Sequence, residues 1–329
     1  MGLKLRRSPE FDLISRYFSR HQSGGLDLAI GDDAAIFTPP SGHSLVFSID
    51  TQVEGRHFPR GFPAEKIATR ALGAALSDLA AMGANPHHFT LALTLPGFDE
   101  DWLADFSRGL FGLADHFNIK LVGGDTTKGP LSISIQVHGL VEQGVYLARS
   151  GAKVDDEIYV SGALGDAAAG LKFALEHRDF DDLNSDEQYL YTAFSNPAPE
   201  VALGLKMLGT ASAALDISDG LLADLEQLAV ASGLVCEVDL DLIPLSEPLC
   251  RVEGKAAALD LALSGGDDYK LLLTVPREKK SLVKDLGLLK IGRMRDLKVG
   301  SFSESDRVML FRNGVFQKNP EQRGFDHFG

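Results

Sequence analysis

The stretch SAALDISDGLLADLEQLAVAS (212–232) predicts how the C-terminal part of this chain folds, since an apolar strand runs into a short Asp-Gly turn and an amphipathic helix follows. Asp216 and Asp219 flank Ser218 at this junction, where the backbone amides of a helix N-terminus favour an anion. Asp219 is also well placed to cap the helix with its side chain. The stretch alone leaves both interpretations open, a ligand site and a helix cap.

Five further short segments place one or two aspartates at the end of an apolar run among small residues. They are IGDDAA (30–35), SID (48–50), SDLAAMGA (77–84), VGGDTTKG (122–129) and SGGDDY (264–269). A single aspartate in a turn is usually structural, because its side chain bonds nearby backbone amides. Six such turns together indicate carboxylates that converge on hard cations, since magnesium and calcium take oxygen ligands. The shortage of nearby cysteine and histidine argues against zinc or copper.

Phosphate is the ligand that this arrangement favours, because magnesium binds through a few carboxylates together with substrate phosphates. VGGDTTKG adds glycines whose amides point inward and the charge of Lys128, although no P-loop sequence occurs in the chain. For His57, contact with a substrate phosphate and packing within a loop remain equally open. Arg149 and Lys153 either face a nucleotide phosphate or carry solvated charges.

The order of the predicted elements indicates an α/β (α+β) protein with two domains, the number expected for 329 residues. A β-α-β-α-β-β pattern with many strands fills the N-terminal half, and a polar, turn-rich stretch follows at 147–156. A second α/β pattern occupies the remainder. We therefore expect an N-terminal domain at 1–147 for ATP and metal binding and dimerisation, and a C-terminal α/β domain at 148–329.

Composition excludes several classes of protein. The formal net charge of -14 disfavours a nucleic-acid partner. No run reaches the roughly 18 apolar residues of a membrane span, and no signal-peptide pattern follows the basic N-terminus. Cys236 and Cys250 indicate neither a disulfide framework nor a zinc site. We expect a cytoplasmic protein without a membrane partner and without a covalent nucleophile.

The order of the motifs resembles the bacterial thiamine-monophosphate kinase family over almost the whole chain, from about Phe11 to Phe328. The motifs that carry the resemblance are IGDDAA, the Ser-x-Asp segment with VEGRHF, LSDLAAMGA, LVGGDTTKGPLSISI, ARSGAK, DISDGL and SGGDDY. That family belongs to a superfamily with aminoimidazole ribonucleotide synthetase, selenophosphate synthetase and a hydrogenase maturation factor. This chain lacks the reactive cysteines of the last two.

The resemblance implies ATP-dependent phosphorylation of thiamine monophosphate to thiamine diphosphate, the last step of thiamine diphosphate biosynthesis. It implies several Mg²⁺ ions, ATP as co-substrate, and direct transfer without a protein nucleophile. It also implies a homodimer in which the N-terminal halves share a β-barrel, with the ATP site near the dimer interface.

The resemblance also assigns roles to residues of this chain. It implies metal ligands at Asp33, Ser48, Asp50, Asp78, Asp125, Asp216 and Asp219, ATP contacts at Gly124, Asp125, Arg149 and Ser218, and substrate contacts at His57, Asp267 and Phe325. The chain departs from the family pattern at three positions. Ile49 stands where a threonine often helps to bind metal, Asp267 replaces a glutamate, and Ser107 replaces a tyrosine near the nucleotide.

Two alternatives remain beside the kinase hypothesis. One is another ATP-dependent synthetase of the superfamily, which would act on an amide substrate and make no use of His57, Asp267 or Phe325. The other is a non-catalytic protein that binds a metal or a nucleotide through its acidic turns. The absence of EF-hand spacing, together with Lys128 and Arg149, argues against the second alternative.

Overall fold

The computed structural model describes residues 13–19, 26–297, 307–320 and 324–325. The contacts of the chain divide it into two compact units. The N-terminal unit is Met1–Ala75 with Pro86–Leu140, and the C-terminal unit is Leu76–Asn85 with Val141–Gly329. The predicted domain boundary between residues 147 and 148 stays a prediction.

The N-terminal unit is built around a four-stranded sheet with the order β1-β4-β2-β3. Its strands are β1 (His43–Val53), β2 (Asn85–Leu95), β3 (Lys120–Lys128) and β4 (Ser132–Glu142), and its helices are α1 (Ala64–Ala81) and α2 (Glu100–His116). Alternation along β2 buries Phe89, Leu91 and Leu93 on one face of the sheet. The helical spacing predicted over 11–20 corresponds to a short π-helical segment at Ile14–Phe18.

The C-terminal unit contains a seven-stranded sheet with the order β11-β10-β7-β9-β5-β8-β6. Its strands are β5 (Glu157–Val160), β6 (Ala213–Ile217), β7 (Val235–Asp239), β8 (Lys270–Val275), β9 (Leu289–Arg295), β10 (Val308–Arg312) and β11 (Val315–Gln317). Its helices are α3 (Asp166–Leu175), α4 (Ser185–Ser195), α5 (Val201–Met207), α6 (Leu221–Ser232), α7 (Glu247–Glu253) and α8 (Lys255–Ser264). Apolar residues of β5, β6, β8, α6 and α8 form the core.

The predicted α/β class is confirmed, but one detail of the prediction is not supported and another is wrong. The sheet of the N-terminal unit is open in the described chain, with β1 and β3 as its edges, so a closed β-barrel is not supported. VGGDTTKG is not a turn, because its first seven residues continue β3. From Gly123 onward they pair with β2 in parallel register, with Gly124 opposite Leu91 and Asp125 opposite Ala92.

The sequence predicts no membrane span and no disulfide framework, and the described residues can be compared with both expectations. Within the described ranges, no helix is long and apolar enough to cross a membrane. Cys236 and Cys250 are both free thiols, and Cys236 is buried, where its thiol donates to the Leu225 carbonyl oxygen at 3.6 Å.

The packing of α2 against the first turn of α1 can be tested with two glycines of the same helix. A Cβ at Gly109 would lie 2.2 Å from the Glu65 carbonyl oxygen, whereas a Cβ at Gly112 would meet nothing within 4 Å. We expect Gly109→Ala to lower the free energy of unfolding by about 1–3 kcal/mol, because the two backbones must separate. Gly112→Ala should raise it by up to about 1 kcal/mol through helix propensity. Urea denaturation of both variants measures the difference, and equal effects of the two substitutions would contradict the close backbone packing.

Candidate functional site

The end of β6 and the turn that leads to α6 hold several of the predicted site residues. Asp216 is the most deeply buried of them: it is the next-to-last residue of β6, lies opposite Leu271 of β8, and is 5% exposed. Burial first, and then the nearby negative charge of Asp78, raise the pKa of Asp216 to about 6, while Ser77 and Arg149 act in the opposite direction. Asp78, Arg149 and Asp216, which are far apart in the sequence, are therefore close together in the C-terminal unit.

Ser77 was not among the predicted site residues. Its side chain is completely buried, and its hydroxyl oxygen has no partner of acceptable hydrogen-bond geometry among the described residues. The hydroxyl nevertheless lies close enough to Asp216 to lower the pKa of that carboxyl group. Ser77 therefore adds an oxygen atom to the pair of carboxylates, and its position directly before Asp78 in the sequence is the only signal that could have indicated it.

The two predicted substrate contacts of the C-terminal unit are attached to the same turn by backbone hydrogen bonds. The Asp267 amide donates to the Ser218 carbonyl oxygen at 2.8 Å, and the Phe325 amide donates to the Asp219 carbonyl oxygen at 2.9 Å. Gly266 permits this approach, since a Cβ there would lie 2.5 Å from the Ser218 oxygen. The structure thus brings Asp267 and Phe325 to Ser218 and Asp219.

The interpretation of Asp219 as a helix cap, one of the two that the sequence left open, is wrong. Helix α6 begins at Leu221 after Gly220, whose φ of 126° and ψ of 150° separate Asp219 from the first turn, and no side chain at the cap position bonds the helix amides. Asp224, inside the first turn, turns back instead: its Oδ2 accepts from the Ser218 amide at 3.1 Å and from the Gly220 amide at 3.2 Å. The side chain of Asp219 therefore does not cap α6, and the interpretation of Asp219 as a ligand residue stays open.

Asp224 is a second residue that the sequence analysis missed. Burial, and then the charges of Asp216 and Asp219, raise the pKa of Asp224 to about 7. Three carboxylates therefore lie near one another around this turn, with the N-terminal end of α6 beside them. The signal available in the sequence was an aspartate in the first turn of a helix that follows an Asp-Gly pair.

The remaining predicted site residues lie in the N-terminal unit, where the sheet separates them. Asp33 is exposed in a loop, and its amide donates to Asp32 Oδ1 at 2.9 Å. Ser48 and Asp50 alternate onto one face of β1, which is one edge of the sheet, whereas Gly124 and Asp125 lie in β3 at the opposite edge. Three strand spacings amount to about 14 Å. One copy of this sheet therefore does not bring Asp50 and Asp125 together.

His57 follows β1 in a tight turn that fixes the orientation of its ring. The Val53 amide donates to His57 Nδ1 at 3.0 Å, and the His57 carbonyl oxygen accepts from Arg70 Nε at 3.3 Å. Because Nδ1 accepts a hydrogen bond, the neutral ring carries its proton on Nε2. A donor at Nε2 matches the oxygen of a phosphate group, so the sequence interpretation of His57 as a phosphate contact is compatible with its structure.

The donor set matches a hard cation, but it does not form a complete metal site. No group of three or more His, Cys, Asp or Glu side chains in the described residues is arranged to hold a metal ion. Asp78, Asp216 and the Ser77 hydroxyl provide oxygen atoms only, in a place where burial already disfavours uncompensated negative charge. Magnesium accepts such a partial shell, because water and substrate phosphates supply the other ligands. The residues present therefore fit magnesium.

Comparison with known proteins gives matches over both units. The model of the AIR synthase related protein, N-terminal domain, matches residues 31–141, and that of its C-terminal domain matches residues 153–298. The chain is 42% identical over 321 residues to the thiamine-monophosphate kinase of Salmonella typhimurium. The aligned region covers 97% of this chain and 98% of the relative.

Solved structures of thiamine-monophosphate kinases resemble most of the chain. The enzyme from Stenotrophomonas maltophilia K279a superposes with a TM-score of 0.79 and 39% identity, over 93% of this chain and 95% of that chain. AaThiL, which was solved in complex with AMPPCP and TMP, has a TM-score of 0.77 and 30% identity, over 88% of this chain and 89% of that chain.

Proposed function

This chain belongs to the thiamine-monophosphate kinases of the AIR synthase related family, and on that basis we propose that it uses ATP to phosphorylate thiamine monophosphate, with thiamine diphosphate and ADP as products. The observation that carries the proposal is the end of β6 and the turn after it, where Asp216, Ser218 and Asp219 lie near Asp267 and Phe325. Backbone hydrogen bonds join Ser218 to Asp267 and Asp219 to Phe325, which supports a shared site for the phosphates and for the rest of thiamine monophosphate.

The reaction needs no nucleophile from the protein. An oxygen of the acceptor phosphate forms a bond to the γ-phosphorus of ATP while the bond from that phosphorus to the β–γ bridging oxygen breaks, and ADP leaves with the electron pair. A phosphate ester of this kind has a second pKa of about 6, so the attacking oxygen is already ionised near neutral pH. The main tasks of the protein are therefore to position the two phosphate chains and to offset their charge.

The surroundings of each residue support a separate role for it in binding ATP or thiamine monophosphate. Arg149 is exposed beside Asp216, where its guanidinium suits an ATP phosphate, and Ser218 lies three residues before α6, a helix whose N-terminal end favours an anion. We assign Gly124 and Asp125 of β3 to the same nucleotide. His57 would donate to the acceptor phosphate, while Asp267 and Phe325 hold the remainder of thiamine monophosphate.

Magnesium is the metal that this donor set supports. We assign it to Asp78, Asp216 and Asp219 in the C-terminal unit and to Asp33, Ser48, Asp50 and Asp125 in the N-terminal unit. When bound, magnesium supplies positive charge against the triphosphate and the acceptor phosphate. The raised pKa of Asp216 supports this assignment, because it reports negative charge that the protein alone leaves poorly compensated.

A homodimer is the assembly that the N-terminal unit supports. On β1, the alternating residues Leu45, Phe47 and Ile49 are 38%, 64% and 61% exposed, which places a row of large apolar side chains at the edge of the sheet. Contiguous exposed apolar surface of this kind marks an interaction site. A second copy would cover this row, and it would also supply a second set of the ligands that one sheet holds at opposite edges.

The activity can be tested directly with the purified chain, ATP, Mg²⁺ and thiamine monophosphate. We expect one thiamine diphosphate for each ADP, and no product when EDTA removes the metal. Thiamine without its phosphate should give no product, because the attacking oxygen belongs to that phosphate. A folded chain that binds ATP but makes no thiamine diphosphate would show that the assignment is wrong.

The role of Asp50 can be tested by Asp50→Asn, which removes one charge from the proposed metal ligands. We expect turnover to fall by about 10²-fold or more, since metal ligation is worth several kcal/mol in the transition state. The oligomeric state should not change. Asp101→Asn, at an exposed position of α2, is the matched control and should keep full turnover. Unchanged turnover in Asp50→Asn would count against a catalytic role of this carboxylate.

The dimer can be tested by placing a charge in the apolar row of β1. We expect Phe47→Asp to give monomers in light scattering after gel filtration, because the buried charge would lack a partner. Phe98→Asp is the matched control, since Phe98 is 60% exposed in the loop before α2 and outside the row. Phe98→Asp should have the same oligomeric state as the unaltered chain. A dimer that survives Phe47→Asp would place the interface elsewhere.

A further inference from the structure

The carboxylate of Asp224 lies in the first turn of α6 and accepts hydrogen bonds from the chain that precedes the helix. Asp224 is 5% exposed, and a single oxygen, Oδ2, accepts from the amides of Ser218 and Gly220. These two residues lie on either side of Asp219. Asp224 therefore fixes the backbone on both sides of one of the proposed metal ligands.

The turn that Asp224 fixes is also the attachment point of two other segments. The carbonyl oxygens of Ile217, Ser218 and Asp219 accept from the amides of Tyr269, Asp267 and Phe325, at 2.8, 2.8 and 2.9 Å. Two amides of the turn, those of Ser218 and Gly220, thus donate to Asp224. Its carbonyl oxygens accept from the segments that carry the proposed substrate contacts. A rotation of its peptide planes would disturb both sets of bonds together.

We propose that Asp224 is a positioning residue for phosphoryl transfer: it holds the turn 217–220 so that Asp216, Ser218 and Asp219 face the phosphates while Asp267 and Phe325 face the acceptor. This inference rests on the proposed function. Asp224 acts through hydrogen bonds to backbone amides and does not itself touch the phosphates or the metal.

The choice of substitutions follows from the geometry. Because one oxygen accepts both hydrogen bonds, the amide oxygen of asparagine can replace it, whereas alanine offers no acceptor. A metal ligand would behave differently, since asparagine would lose the negative charge that the ion requires. Asp224→Asn and Asp224→Ala therefore separate a positioning role from direct ligation.

Asp99 provides a matched control in the N-terminal unit. Its Oδ1 likewise accepts from two amides, those of Asp101 and Trp102, both at 3.0 Å, at the start of α2. Asp99→Ala removes the same kind of contact away from the turn 217–220. We expect it to lower the thermal midpoint without a change in kcat/KM for thiamine monophosphate.

We expect Asp224→Ala to lower kcat/KM by about 10–100-fold, the usual effect of losing a group that orients a ligand, and to raise the Mg²⁺ concentration for half-maximal rate. Asp224→Asn should stay within about threefold of the unaltered chain. Unchanged kinetics in Asp224→Ala would overturn the proposal, and an equal loss in both variants would assign Asp224 to direct metal ligation instead.

Hydrogen exchange provides a readout that does not depend on turnover. In the unaltered chain without substrates, the peptide that covers residues 217–221 should exchange slowly, and Asp224→Ala should speed it at least about tenfold while Asp224→Asn does not. If Asp224→Ala does not fold, Asp224→Ser can replace it, since the serine oxygen lies one bond closer to the backbone and cannot accept from both amides. It should give the same kinetic defect.

The two readouts distinguish the possible failures. If the unaltered chain does not phosphorylate thiamine monophosphate but the exchange pattern is as expected, the proposed function is wrong and the anchoring contact stands. If the chain is active and exchange at residues 217–221 is unaffected by Asp224→Ala, the positioning role is wrong and the function stands.

Discussion

The burial of the Asp216 carboxylate beside Asp78 is the constraint on which the arrangement of this site depends. Removing a charged carboxylate from water is costly unless an opposite charge or hydrogen bonds compensate it. The cationic group near Asp216 is Arg149, which lies exposed at the surface, and burial remains the largest influence on the pKa of Asp216. The fold thus keeps negative charge where it costs stability, which is expected where a ligand supplies the compensating charge.

The antiparallel pairing of β6 and β8 explains why two distant motifs meet at this place. Ile217, at the end of β6, is opposite Lys270, at the start of β8. The chain that leaves β6 therefore passes the chain that enters β8, and LDISDG and SGGDDY lie side by side although about fifty residues separate them in the sequence. Small residues on both segments allow the backbones to bond directly, so the position of Asp267 depends on the position of Ser218.

Most secondary structure could be predicted from hydrophobic periodicity, because each element buries one face. The start of α1 at Ala64 and the strand over LSISIQVHGLVE are examples. The continuation of β3 through VGGDTTK could not be predicted, since two glycines normally indicate a turn and only the pairing with β2 keeps them extended. Capping by Asp224 was missed for a similar reason: local rules favour the residue before a helix, whereas the conformation of Gly220 moves Asp219 out of reach.

The sequence order of the acidic turns could not predict which of them share a site. The strand order β1-β4-β2-β3 puts β4 and β2 between β1 and β3, so that Asp50 and Asp125 lie at opposite edges of the N-terminal sheet. In the C-terminal unit, by contrast, two distant aspartates come together. Asp78 lies near Asp216, although α1, the helix that carries Asp78, begins in the N-terminal unit. Strand order depends on contacts that are remote in sequence, and motif spacing carries no information about them.

The aspartate at position 267, where the resemblance implies a glutamate, can be understood from the backbone of this segment. Asp267 has a φ of 70° and Tyr269 a φ of 48°, both in the left-handed region that strains most side chains. Aspartate tolerates this region better than most residues, because its short polar side chain bonds locally. Here Asp267 Oδ1 accepts from the Tyr269 hydroxyl at 3.1 Å. The shorter side chain therefore relieves strain in a turn in which the Asp267 amide donates to the Ser218 carbonyl oxygen.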